Sequence, residues 1–389
     1  MKEKIKNNPV ILFFYRLLKV MTYRIIFSTP IYKIIYPHKI DTVIDNNKKY
    51  RLVVCHNRGG GTGSYMKNKY GNEPGVLFFK KIYAADKDYL YCLENSDNHN
   101  IYYFNPSKLS DIKINLSEIN IVAVESFMSL VPLFNWFKAF NVPITYDIHD
   151  YHCIWYEAHF VHNGKLLSKD DLQNSVLRYI GTKITFAQWH KAWMDFFPSV
   201  TKINAFSESS KQIFSECYPD FADKVQVTPH SLEYIKCGTL KSIPEKFTVG
   251  IFGMIQDFDK GSSVVKSFLE FSKNKDYEVY INGALRQDCM VEAQNIKYMG
   301  RYDVNNLDKI IEDQGISVVF FPSVCPETFS YTISELIHVG VPVACFNTGA
   351  QAEKVSNYKF GEIIQKPDSE EILKSLQNAF QKGLNCKNQ

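Results

Sequence analysis

Nine cysteines in 389 residues never fall in Cys-x-x-Cys spacing, and the dinucleotide signature Gly-x-Gly-x-x-Gly is absent. The cysteines (55, 92, 153, 217, 237, 289, 325, 345 and 386) are scattered and odd in number. They read as buried thiols of a reduced, cytoplasmic protein and exclude a disulfide or zinc-ribbon framework. No stretch of 18 residues is free of charge, which excludes a membrane-spanning helix on composition. No repeat recurs at a fixed period and no low-complexity tract is present, so solenoids and propellers are excluded. Strong net charge is missing too, at +4 overall.

That small charge is unevenly placed. Residues 1–40 hold eight Lys and Arg against Glu3, while the remainder has 37 basic and 40 acidic residues. A near-neutral body argues against a nucleic-acid-binding domain, whose basic surface is part of the fold. Residues 9–36 are apolar and aromatic, interrupted by Arg16, Lys19 and Arg24, which share one side of a helical wheel. The pattern is that of a helix lying on an anionic membrane surface through residues 1–38. Packing on the body or on a second copy in a homo-oligomer is the alternative.

Apolar content of 45% and charged content of 22% describe a globular chain. Its length suits two domains of about 150–200 residues each. Short apolar runs alternate with helical segments, the pattern of parallel sheets with helices on their faces. The expected organisation is a basic segment at 1–40, an α/β domain at 41–236, a second at 237–368, and a closing helix at 369–389 that crosses back to the first. Residues 165–200, rich in aromatics, read as helical.

Several strand ends carry polar residues. Tyr50–Cys55 runs into Gly59-Gly60-Gly61-Thr62-Gly63, and Pro143–Ile148 runs into His149-Asp150-Tyr151. A strand at 247–252 precedes Gly253 and Lys260-Gly261, and another ends at Met299-Gly300-Arg301. Most informative is the stretch 316–347, an apolar strand, a loop holding Glu327, a helix holding Glu335 about two turns in, and a second strand. In open α/β sheets ligands bind beyond the carboxyl ends of the strands. A helix start there offers free N–H groups to an anion such as a diphosphate. The two glutamates suit hydroxyls on either side of it. A polyol-flanked diphosphate is a nucleotide-sugar.

In this order the segments resemble the retaining glycosyltransferases of family 4, which have the GT-B fold: two Rossmann-like doubly wound domains facing across a cleft. The resemblance runs from Tyr50 to about Ile364 and is nearest to the bacterial surface-polysaccharide branch. It implies that Glu335 binds the donor ribose and Glu327 the transferred sugar. Lys260 neutralises the diphosphate, and His149 sits by the sugar. Gly60, Gly61, Gly253, Phe329, Ser330, Tyr331 and Arg301 contribute to the donor site, and Asp150 and Tyr151 face the acceptor. The resemblance further implies a UDP- or GDP-sugar donor, a glycan acceptor that is lipid-linked, and no cofactor. No metal is expected, since this reading finds no Asp-x-Asp at a strand end. The place of action is the cytoplasm, peripheral on the inner face of the membrane. The chain departs from the family at Met254, where an arginine is common, and at Ser330, where glycine is common. The lost arginine supports one other reading, a non-catalytic GT-B partner within a transferase complex.

Overall fold

The computed structural model describes residues 39–56, 61–85, 88–124, 130–162, 165–179 and 182–385. The basic segment 1–38 and Gly60 lie outside the described residues. In chain order the helices are α1 (Ile40–Val43), α2 (Gly61–Tyr70), α3 (Leu130–Ala139), α4 (Lys169–Gln173), α5 (Phe186–Met194), α6 (Glu208–Cys217), α7 (Ser262–Ser272), α8 (Leu307–Asp313), α9 (Tyr331–Val339), α10 (Gly349–Ser356) and α11 (Ser369–Asn385). The strands are β1 (Tyr50–Cys55), β2 (Val76–Ala85), β3 (Asp88–Asn95), β4 (Ile101–Phe104), β5 (Leu116–Ile121), β6 (Ile144–Asp147), β7 (Val161–His162), β8 (Lys165–Leu166), β9 (Val176–Tyr179), β10 (Thr182–Thr185), β11 (Lys202–Ala205), β12 (Val225–Val227), β13 (Thr248–Ile255), β14 (Glu278–Leu285), β15 (Ile296–Gly300), β16 (Val318–Phe321), β17 (Val343–Phe346) and β18 (Gly361–Ile364).

These elements form two compact units whose chain segments interleave. The first holds residues up to Asp147 with 177–184 and 192–202; the second holds 148–176, 185–191 and everything from Ile203 onward. His149, Asp150 and Tyr151 therefore group with the second unit.

In the first unit, six neighbouring strands follow the order β6-β5-β1-β2-β3-β4. β1 pairs in parallel with β2 and β5, and β5 with β6, whereas β2, β3 and β4 form an antiparallel meander. α2 starts within the glycine run, at Gly61, and Tyr65 on it donates to Asp147 Oδ2 at the end of β6, at 2.7 Å.

The second unit carries six parallel strands in the order β15-β14-β13-β16-β17-β18. Numbered by appearance this is 3-2-1-4-5-6, the order in which the winding reverses between β13 and β16. Strand residues alternate between two cores. Val249, Ile251, Val318, Phe320, Ala344 and Phe346 face α7 and α11, packing against Phe268, Leu269, Ile372 and Leu376. Phe252, Val319, Phe321, Val343 and Cys345 face the other side, against Ile311, Ile333 and Leu336. Period-two alternation with both faces covered is what a parallel sheet requires. Each fully buried side chain of this kind contributes about 1.5–3 kcal/mol. The closing helix α11 thus buries its apolar face in the second unit's core.

Two expectations change. Residues 165–200 are not one helical stretch: Val176–Tyr179 and Thr182–Thr185 form a two-stranded sheet, and the main helix is Phe186–Met194. The β-branched and aromatic residues flanking Gly181 favour extended pairing over a helix. β13 is also longer than expected and runs on to Ile255, because it pairs with β14 along its whole length. That extension brings Asp257-Phe258-Asp259 close behind a strand end. The expectation that no Asp-x-Asp stands at one is therefore corrected.

Candidate functional site

The loops that follow β13 and β16 sit side by side at the point where the winding reverses. Lys260 is on the first and Glu327 on the second. Lys260 Nζ donates to Glu327 Oε1 at 2.8 Å. Burial works to raise the Glu327 carboxyl, but the Lys260 charge and the hydrogen bonds to the carboxylate together outweigh it and hold the group below its ordinary value. Burial likewise works to lower Lys260, and Glu327, with the nearby Cys325 and Asp259, outweighs it and raises the lysine. Both groups are therefore charged at neutral pH. Gly261 makes the approach of the loops possible. Its φ is 82°, and a Cβ there would lie 1.9 Å from Pro322 O.

Glu327 is fixed from its backbone. Its N–H donates to Gln351 Oε1 at 3.0 Å, and Gln351, fully buried, donates in turn to Cys325 O at 2.7 Å. The next residue, Thr328, is held through its carbonyl, which accepts from Ser207 Oγ and Ser210 Oγ at 3.0 Å each. Thr328 Oγ1 donates to His149 O at 3.2 Å. This brings the His149 backbone to the glutamate loop.

α9 starts immediately after Ser330, whose φ of 59° is left-handed. Glycine is the residue that adopts this conformation without cost. Glu335 lies little more than one turn into α9, nearer its start than the sequence suggested. Its Oε1 accepts from Tyr234 OH at 2.7 Å. Burial raises the Glu335 carboxyl, and the Tyr234 hydrogen bond opposes that rise. Such a carboxylate, held at one oxygen and at the carboxyl edge of a parallel sheet, can accept ligand hydroxyls at the other.

Two residues here went unassigned in the sequence. His230 stacks between His149, at 5.3 Å and 9°, and Tyr331, at 5.2 Å and 6°, with Phe206 at 3.9 Å. Its signal was its place behind the strand Val225–Val227. Lys354 on α10 left no signal in the sequence. Its Nζ lies 3.3 Å from the centre of the Phe329 ring, 2.5 Å from Ser334 Oγ and 3.5 Å from Ser330 O. Burial pulls its pKa down to about 8.

That shift has a measurable consequence. Between pH 8 and the unfolded lysine value of about 10.4, the unfolded chain binds a proton at this position that the native chain has lost. Stability from this site therefore rises with pH through that window. Urea titrations of wild type and Lys354→Met should show it. The wild-type minus variant difference should grow more favourable to wild type from pH 7.5 to pH 10. A difference flat in pH would show that burial does not penalise this charge.

Other expected residues fall into place unevenly. Phe329 and Tyr331 border the loop, and Gly253, with φ 122°, has nothing within 4 Å of an added Cβ. Met254 is 47% exposed, and Arg301 is an exposed residue just beyond β15. Asp150 Oδ1 accepts from His152 N at 3.0 Å. Tyr151, expected on the acceptor side, lies inside the second unit. It is fully buried and its OH lies 3.4 Å from Ser210 Oγ. Gly61 opens α2 in the first unit. The eight described cysteines are free, seven of them buried. No described helix is long and apolar enough to cross a membrane.

No protein-family profile matches the chain, and no curated protein matches it in sequence. Solved structures do match. HepE of Anabaena in complex with UDP is 14% identical, with 88% of this chain and 94% of that one covered at a TM-score of 0.55. Sucrose-phosphate synthase of Thermosynechococcus elongatus is 13% identical, with 87% and 92% covered at 0.54. The chain has the GT-B fold. A glycosyltransferase of Rickettsia africae is also similar, at 15% identity with 88% and 92% covered and a TM-score of 0.50. At these identities the likeness speaks to the GT-B fold itself.

Proposed function

We propose that this GT-B protein is a retaining glycosyltransferase. It moves a sugar from a UDP- or GDP-linked donor to a lipid-linked glycan acceptor in bacterial surface-polysaccharide synthesis. The observation that carries the reading is the Lys260–Glu327 pair at the winding reversal, with Glu335 on the helix that follows. A diphosphate placed at this edge meets a charged lysine and the start of α9. Glu335 accepts from the ribose hydroxyls and Glu327 from those of the sugar. HepE has been crystallised with UDP-glucose, which favours uridine as the base.

In this reading the lysine's stabilising effect grows as negative charge develops on the leaving diphosphate, so it acts on the transition state more than on binding. The departing phosphate takes the acceptor's proton on the same face, which retains configuration. The carboxylate pair of a glycosidase is not needed, nor is a metal or other cofactor part of the step. His149, held by its carbonyl to Thr328, borders the sugar and acceptor. Residues 1–38 tether the protein to the inner face of the cell membrane through their basic apolar character.

One assay tests both parts. Hydrolysis of a panel of UDP- and GDP-sugars is measured for the full chain and for residues 39–389, with and without vesicles holding anionic lipid. Hydrolysis of one donor by both forms, with vesicle binding by the full chain alone, is expected. If no donor is bound or hydrolysed, the transferase reading fails. If the shortened chain unfolds, or a dimer of the full chain splits, residues 1–38 are structural instead.

A further inference from the structure

We propose that His159, Asp259 and Cys325 form a binding site for one divalent ion of the zinc class, beside the Lys260–Glu327 pair. The three come from separate stretches of the second unit: the segment after β6, the loop after β13 and the loop after β16. His159 Nδ1 and Asp259 Oδ2 lie 2.5 Å apart. They and Cys325 Sγ all fall within 4.8 Å of one another. Nitrogen, carboxylate oxygen and thiolate sulfur together are the donor set of a borderline-soft ion rather than of magnesium or calcium.

The scaffold beneath the donors is already fixed. Asp259 O accepts from Val324 N at 3.0 Å, from Cys325 N at 3.2 Å and from Ser323 Oγ at 3.4 Å. Cys325 is fully buried, and its sulfur has Ser323 Oγ at 3.4 Å. The buried thiol, within 4.8 Å of both the imidazole and the carboxylate, completes a three-donor set for an ion. With bonds of about 2.0–2.3 Å, a tetrahedral ion holds its donors roughly 3.3–3.6 Å apart. It therefore replaces the shared proton, widens the His159–Asp259 pair by about an ångström and draws the sulfur in.

Access comes from one side. A cavity of about 230 Å³ opens against His159 and Asp259, with Glu157 and Asp257 in its wall. His159 is 47% exposed there. Three protein donors and one position open to a cavity make a site that takes water, or Asp257, as the fourth ligand. The open position faces away from the buried sulfur, and the acidic wall favours a cation's entry. A bound ion would tie the loop carrying Lys260 to the residue two positions before Glu327.

Cobalt(II), which gives thiolate charge-transfer absorption, is the probe. The full chain, freed of metal and reduced, should bind one cobalt with that band, and one equivalent of zinc should displace it. Cys325→Ser should remove the band. His159→Ala, at a half-exposed position that folding tolerates, should weaken cobalt binding by about tenfold or more. Zinc should raise the melting temperature of wild type but not of His159→Ala. A wild type without the band, a band that survives Cys325→Ser, or a His159→Ala protein that titrates like wild type overturns the site. Should Cys325→Ser fail to fold, the His159→Ala titration decides alone.

Discussion

Lys260→Met is expected to lower sugar transfer by about 10²- to 10³-fold at saturating donor, the loss typical of removing one group that stabilises developing negative charge. The methionine keeps the chain length and apolar stem while removing the cation. In the proposed transferase reaction the charge on the diphosphate grows as it leaves, so the loss should appear in kcat more than in KM. The variant also leaves Glu327 without its counter-charge. Burial, now unopposed by Lys260, should raise that carboxyl. Rates are therefore compared per folded protein, with the folded fraction read by circular dichroism. Glu327→Gln tests the other half. It keeps Lys260 in place but removes the attraction that raises the lysine. A Lys260→Met enzyme turning over within threefold of wild type would remove the lysine from the chemistry, whatever the glutamate does.

Gly261→Ala is expected to cost about 3–5 kcal/mol of stability, at the upper end for a single substitution. Two penalties coincide at this glycine. A left-handed φ of 82° strains any side chain, and the added Cβ would overlap Pro322 O at 1.9 Å. The obstacle is backbone from the neighbouring strand end, which cannot rotate away. Gly253→Ala separates the two effects. It has a φ of 122°, farther from the left-handed well, but open space around the Cβ, so strain alone should cost about 1–3 kcal/mol. Urea midpoints of both variants provide the comparison. Equal losses would mean that the close approach of the two loops is not what makes residue 261 glycine.

The Lys354 result connects stability to the same place. A lysine whose hydrogen-bond acceptors are Ser334 and the Ser330 carbonyl, with the Phe329 ring beneath it, is costly to keep charged. A buried cation of this kind, next to a glutamate loop and a helix start, suits an anionic ligand that offsets the cost. The pH titration measures the penalty without the ligand, and the Lys260→Met kinetics measure the site with it.

Much of the second unit was legible because its signals are local. Apolar runs of four to eight residues, broken by Gly and Pro, reveal strands. Glu327 and Glu335 stood out because strand, loop and helix punctuate that stretch in sequence. The strand pair Val176–Tyr179 and Thr182–Thr185 did not, since aromatic-rich segments suit either helix or strand and pairing decides between them. The full length of β13, and with it the Asp257–Asp259 pair at its end, was decided by β14 alongside it.

The sequence by itself determined the alternating α/β pattern, the glutamate-bearing loop and helix, the lysine and glycine at 260–261, and the unequal placement of charge. Those depend on composition and spacing within a few residues. Tertiary structure alone decided that Lys260 pairs with Glu327, 67 positions away, and that His230 stacks between His149 and Tyr331. It also placed Lys354 over the Phe329 ring and converged His159, Asp259 and Cys325. The physical reason is the winding of the sheet. β13 and β16 are neighbours in space but not in sequence, so what their loops bring together is fixed by strand pairing and not by any spacing along the chain.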